Sequence, residues 1–284
     1  MAAVFVGVLK RMARFFVGDP YASAFNPLPR DQMGDPSLYD ECPRTLECRN
    51  CTCADCAPSC SAYSYQHNWE MDSFCFVVDL AYRFWATTRS AGAMDEAFHA
   101  ALQRFVAVLE TEADHIDKSP YRFRTGHFPD NTPPNATAVV GLLWGDSRPS
   151  DDREYFNYNI PENMFAVVTL GRVAELATAI YNDKELATRA TTLRDSVDAA
   201  IQRYGVFRGN GSLPPMYAFE VDGFGAQILM DDANMPNLLG IPYMGYRDAL
   251  GLYNATREFV LRPMASGGNA TACWKRPELC HGNP

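Results

Sequence analysis

Apolar residues recur at helical spacing in five stretches of this chain, and that period limits the possible folds more than any other feature. Val4, Val8, Met12 and Phe15 line one face of residues 3–17. From Glu70 onward Met71, Phe74, Val78, Tyr82 and Trp85 repeat the pattern, and Phe98, Leu102, Phe105 and Leu109 mark a third segment. Pro161 suits a first helical turn and is followed by Met164, Val167, Leu170, Ala174 and Ala177. The longest segment, 185–204, runs through Leu186, Ala190, Leu193, Val197, Ile201 and Tyr204, with Gly205 where a C-terminal cap belongs. Two short pieces, 137–144 (TAVVGLLW) and 224–230 (FGAQILM), are expected to be strands inside loops. The fold class is therefore all-α.

Connections between these helices are of two kinds. The brief YNDKE link after the fourth segment implies antiparallel neighbours. The long connections 18–69, 118–160 and 205–236 are rich in polar residues, and long loops on a rigid scaffold are where binding and catalysis concentrate. With 284 residues and 47% hydrophobic content, the chain 1–284 suits one large domain or two small ones, with ample material for a core. Residues 263–284 lack a helical period and read as an irregular tail.

Six of nine cysteines fall between Cys42 and Cys60. The spacing Cys53-Ala-Asp-Cys56 is compatible with zinc, and the cluster is equally compatible with disulfides that hold a loop in a secreted protein. Five Asn-Xaa-Ser/Thr sequons, at Asn50, Asn135, Asn210, Asn254 and Asn269, favour the disulfide reading and a secretory or extracellular location. No signal peptide is recognisable in the first residues, MAAVFVGVLKR, whose basic residues follow an apolar run too short to span a membrane. A net charge of −9 argues against non-specific nucleic-acid binding and suits a neutral, hydroxyl-rich ligand.

Four polar constellations interrupt the apolar background. Asp19, Tyr21 and Asn26 lie in the first, and Glu70 and Asp72 open a helix in the second. The third holds Asp146, Arg148, Ser150, Asp151 and Asp152, and the fourth Asp231, Asp232 and Asn234. Turn and cap roles are the plain alternatives, since acidic groups are favoured in a first helical turn. They serve Asp151 and Asp152 poorly, because the next helix begins near Pro161. Trp69, Trp144, Tyr155 and Tyr243 are candidate walls of a sugar pocket. Adjacent carboxylates push one pKa up and a nearby arginine pulls one down, so RPSDD holds the ingredients for one protonated and one ionised acid. Glycoside hydrolysis generally uses such a pair.

The segments DPYASAFN, WEMDSFCFVVDLAYRFW, SPYRFRT, GDSRPSDDREYFNYNIPENMFAVVTL and DDANMPNLLGIPYMGY resemble, in order, those of glycoside hydrolase family 125. These are exo-α-1,6-mannosidases. The resemblance implies an (α/α)₆ barrel of six helical hairpins, here incomplete, with the site in loops at one end. It implies an inverting reaction on α-mannosides with no metal or organic cofactor, no nucleic acid and no membrane span. Asp151 or Asp152 corresponds to the general acid. Arg148, Ser150, Asp19, Tyr21, Asn26, Glu70, Asp72, Asp231, Asp232, Asn234 and Tyr243 are the implied substrate-binding groups. The family's base lies in a later glutamate-bearing segment. Neither Glu258 nor Glu278 matches it, which leads us to expect a chain truncated before the base. A mannose-binding protein lacking catalysis, or an incomplete gene product, is the alternative expectation. The insertion 42–60 has no counterpart in the resemblance.

Overall fold

The computed structural model describes residues 2–29, 32, 61–66, 69–121 and 136–262. The cysteine cluster 42–60, the tail 263–284 and the sequons at Asn50, Asn135 and Asn269 lie outside the described residues. Asn210 and Asn254 are exposed.

All five periodic stretches are helices: α1 (Ala2–Gly18), α2 (Asp72–Thr88), α3 (Glu96–Glu112), α5 (Ile160–Leu176) and α6 (Lys184–Tyr204). A π-helical turn, Ala177–Tyr181, extends α5. Short helices α4 (His115–Lys118), α7 (Ile241–Met244) and α8 (Tyr253–Leu261) complete the set. Side-chain caps start three of the long helices. Asp95 accepts from Phe98 N, Asn159 from Glu162 N and Asp183 from Leu186 N, each relieving an unpaired first-turn amide.

The helices form two layers. In one, α1 packs on α3 and α3 on α6; in the other, α2 packs on α5, which also lies along α6. Aromatic rings join the layers: Phe16 stacks on Phe74 with centroids 3.8 Å apart, and Phe105 meets both. The face of α1 differs from the sequence reading. Leu9, Ala13 and Phe16 are buried, whereas Val4 and Val8 are exposed. Both rows have i, i+4 spacing, so periodicity alone did not choose between them.

The strands have two or three residues each. β1 (Ala24–Phe25) pairs with β2 (Ser64–Gln66), and β4 (Val206–Phe207) with β5 (Met216–Tyr217). β3 (Tyr158–Asn159), β6 (Glu220–Val221) and β7 (Gln227–Ile228) form an antiparallel sheet in that order. The expected strand at 224–230 is thus reduced to β7, and that at 137–144 is absent. Asn163 explains the second difference: its side chain accepts from Leu143 N at 2.8 Å and donates to Leu143 O at 3.1 Å, replacing a strand partner. Gly205 does cap α6, but with φ −80° rather than in the left-handed region. The glycine is needed for space, since a Cβ would lie 2.9 Å from both Ile160 Cδ1 and Ile201 O.

Ile160–Tyr181 is long and apolar enough to cross a membrane by length and composition. Here it carries Glu162, Arg172 and Glu175 and packs between α2 and α6 as a core helix. The ends of α1 and α3 and the starts of α2 and α5 meet at one end of the layers. Tyr21, just after α1, bonds Glu112 at the end of α3, and Trp69, just before α2, bonds Trp144 on the way to α5. The long loops emerge there.

Candidate active site

RPSDD is the tip of a tight hairpin. Ser147 and Arg153 pair across it, Arg148 N donates to Asp152 O at 2.7 Å, and Asp151 N donates to Arg148 O at 2.9 Å. Closing the turn places Asp151 in the left-handed region at φ 65°, which aspartate tolerates better than most side chains. Asp151 is exposed at the tip and Asp152 is half-buried.

Beneath the tip lies Arg148, the only fully buried cation among the described residues. Its Nε donates to Glu220 Oε1 at 2.5 Å, and its guanidinium sits 5.4 Å from the centre of the Phe219 ring. The other oxygen of Glu220 accepts from Tyr155 N and Phe156 N, both at 2.9 Å. β6 supplies this glutamate, with Glu220 paired to Asn159 of β3 and Ile228 of β7.

Further carboxyl groups surround the pair. Glu70 and Asp72 come from the start of α2, Glu162 from the first turn of α5, and Glu154 and Asp146 from the loop between. Burial, aided by the charges of Asp72 and Asp151, pushes the Glu70 carboxyl up to about 9. Burial also raises Asp72 to about 7, with Asp151 adding to it against opposing backbone amides. Glu154 and Glu162 are held well above the usual carboxylate range, first by burial and then by neighbouring acids. Both oxygens of Glu154 and of Glu162, and both terminal nitrogens of Arg148, are buried with no hydrogen-bond partner among the described residues. Gly145 makes room for this: a Cβ there would sit 2.5 Å from Glu154 Oε1. Protonated carboxyls beside a guanidinium can both donate to and accept from hydroxyls.

These shifts have a sign. Glu70 and Asp72 hold protons in the native state that the unfolded chain releases near 4, so the stability they add is full below that pH and is lost as pH rises through about 7 and about 9. The melting temperature is therefore expected to fall between about pH 5 and about pH 9, and Asp72→Asn to flatten the lower half of that slope. A wild-type melting temperature that rises across this range contradicts the protonated cluster.

The fourth constellation braces the hairpin. Ser150 Oγ donates to Asp232 Oδ2 at 2.8 Å and lies 3.3 Å from Asp152 Oδ2, and Asn234 Nδ2 donates to Pro149 O at 3.1 Å. Asp231 instead accepts from Leu238 N and Leu239 N, at 2.7 and 3.0 Å, and so shapes the turn before α7. Tyr243 on α7 is 73% exposed. The first constellation lies below the site as support. Buried Asp19 accepts from Ser64 Oγ at 2.5 Å, and Tyr21 donates to Glu112 Oε1 at 2.6 Å while stacking on Tyr121. Tyr121 in turn donates to Asp146 Oδ2 at 2.6 Å, and Asp146 N to Trp69 O at 3.1 Å. Asn26 is buried, with its N–H donating to Tyr63 O. Trp69 and Trp144 are buried, joined through Trp69 Nε1 and Trp144 O, whereas Tyr155 is exposed. The sequence reading thus located the hairpin, Glu70, Asp72, Arg148, Ser150, Asp232 and Asn234 together. It missed Glu112, Glu154, Glu162 and Glu220.

Fold and site together define a two-layer helical scaffold whose loop end collects carboxyl groups around one arginine. The chain belongs to the metal-independent alpha-mannosidase family (GH125), whose profile matches residues 1–267. It is 27% identical over 288 residues to the meiotically up-regulated gene 157 protein of Schizosaccharomyces pombe, covering 95% of this chain and 53% of that protein. It also matches a solved metal-independent alpha mannosidase of Streptococcus pneumoniae, described as a non-productive substrate complex with alpha-1,6-mannobiose. That match has a TM-score of 0.76 and 32% identity, covering 91% of this chain and 58% of the bacterial one. The chain therefore spans between half and two thirds of each of these relatives. The mostly helical fold is shared with the bacterial protein.

Proposed function

We propose that this chain forms the acid-bearing part of an exo-acting, inverting α-1,6-mannosidase built on an (α/α)₆ toroid, with Asp151 as the general acid. The observation that carries the reading is the RPSDD hairpin, which holds one carboxyl at its exposed tip above a buried, proton-rich floor. The family membership and the mannobiose held by the bacterial relative support the substrate class. The alternation of α1, α3 and α6 with α2 and α5 is the arrangement that successive hairpins of such a toroid require.

Asp151 is favoured over Asp152 by placement. It lies within electrostatic reach of Glu70 and Asp72, and it occupies the one left-handed position of the hairpin. Asp152 lies 3.3 Å from Ser150 Oγ and lends its carbonyl to the turn. In the reaction Asp151 gives its proton to the glycosidic oxygen as the bond to the sugar C1 breaks. A second carboxylate, roughly 6.5–9.5 Å away, takes a proton from the attacking water. We assign that base to none of the described carboxyls: Glu220 is fully engaged by three N–H groups, and Glu154 and Glu162 are too buried to reach bulk water. Glu70 and Asp72 are placed to bind hydroxyls of the terminal mannose, and Arg148, Ser150, Asp232 and Asn234 hold the acid loop.

Incubation of the full-length protein with α-1,6-, α-1,3- and α-1,2-mannobiose tests the reading. Free mannose is expected from the α-1,6 isomer in preference to the others. Binding of α-1,6-mannobiose without hydrolysis indicates a mannose-binding protein instead.

A further inference from the structure

We propose that Glu220 is a positioning residue for the acid, acting through the two stems of the hairpin; this rests on Asp151 being that acid. Glu220 lies outside the hairpin and 72 residues from Arg148 in sequence. One oxygen holds Arg148, immediately before the turn, and the other holds the amides of Tyr155 and Phe156, immediately after it. A single buried carboxylate thus ties both stems of the loop that carries Asp151. β6 fixes the carboxylate from below through its pairing with β3 and β7, so its position is set by a sheet rather than by the loop itself.

Acid catalysis depends on placing the proton within hydrogen-bond reach of the leaving oxygen, and a displacement of about 1 Å costs on the order of 100-fold in rate. Glu220 is fully buried and its carboxylate is occupied by the three N–H groups, which leaves it no free acceptor for the sugar or the reacting atoms. Its removal is therefore expected to act on proton delivery and to leave substrate binding nearly unchanged. Glutamine is the informative replacement because it keeps the shape of the side chain. Its amide nitrogen cannot accept, so either the Arg148 bond or the pair from Tyr155 and Phe156 is lost.

Two substrates separate a misplaced acid from a damaged fold. α-1,6-Mannobiose has a poor leaving group and needs the proton, whereas 2,4-dinitrophenyl α-mannoside has a leaving group that departs without one. Glu220→Gln is expected to lower kcat on the mannobiose by about 10–100-fold with KM within about threefold, and to change kcat on the dinitrophenyl substrate by less than about threefold. Should Glu220→Gln fail to fold, Glu220→Asp keeps both acceptor oxygens on a shorter stem and is expected to show the same selective loss in weaker form. Equal losses on both substrates, or no loss on either, overturn the positioning role while leaving the enzymatic reading in place. A folded wild-type protein that cleaves neither substrate overturns the enzymatic reading, and the positioning role with it.

Discussion

Asp151→Asn is expected to lower turnover of α-1,6-mannobiose by about 10²–10⁴-fold, the range typical of losing a positioned general acid. Asparagine is the right replacement for structural reasons. It tolerates the left-handed backbone at φ 65° as well as aspartate does, and the residue is exposed, so the hairpin should survive the change. An unchanged melting temperature checks that. With 2,4-dinitrophenyl α-mannoside the loss should shrink to less than about tenfold, because that leaving group needs no proton. Asp152→Asn, which leaves the backbone bonds of the turn in place, is expected to cost less than about tenfold on either substrate. A larger and substrate-selective loss at Asp152 would exchange the two roles.

The second large effect concerns stability. Arg148→Met removes the buried cation beneath the hairpin and leaves Glu220 buried without its counter-charge. Breaking a buried ion pair from one side costs about 3–5 kcal/mol, because the desolvated partner remains. The acids around it add to the cost, since Glu154 and Asp232 also lie within range of the guanidinium. Urea unfolding gives the number. The double replacement Arg148→Met with Glu220→Leu is expected to recover part of the loss by removing the stranded charge, although the Tyr155 and Phe156 amides still lose their acceptor. If Arg148→Met costs less than about 1 kcal/mol, the pair is not the electrostatic centre of the site.

The helices were legible in the sequence because each buries a stripe wide enough to leave a 3.6-residue period, and Phe98, Leu102, Phe105 and Leu109 are all buried as that period requires. The hairpin was legible as a dense polar run far from any helix it could cap; Asn159 proves to be the cap of α5. Glu220 was not legible. It sits in a two-residue strand, and its three donors lie 64 to 72 residues away, so nothing local marks it. The one available signal is an acid flanked by apolar residues in YAFEV, where an exposed strand face would carry it to water and a buried one demands a partner. Glu162 was masked by an ordinary explanation, an acid in a first helical turn, and Glu154 by lying in the charged run DDRE. Trp69 and Trp144 looked like pocket walls but serve as buried supports, because their spacing to other loops is set only on folding. Asp231 and Asp232 are adjacent in sequence yet diverge, one to backbone amides and the other to Ser150.

Proton NMR of the reaction with α-1,6-mannobiose, recorded before mutarotation, reads the anomeric form of the first mannose released. An inverting enzyme with the acid on the RPSDD hairpin is expected to release β-mannose first, with α-mannose appearing only as the sugar equilibrates. Release of α-mannose first, with the β form following, contradicts the inverting mechanism and the placing of Asp151 as its acid.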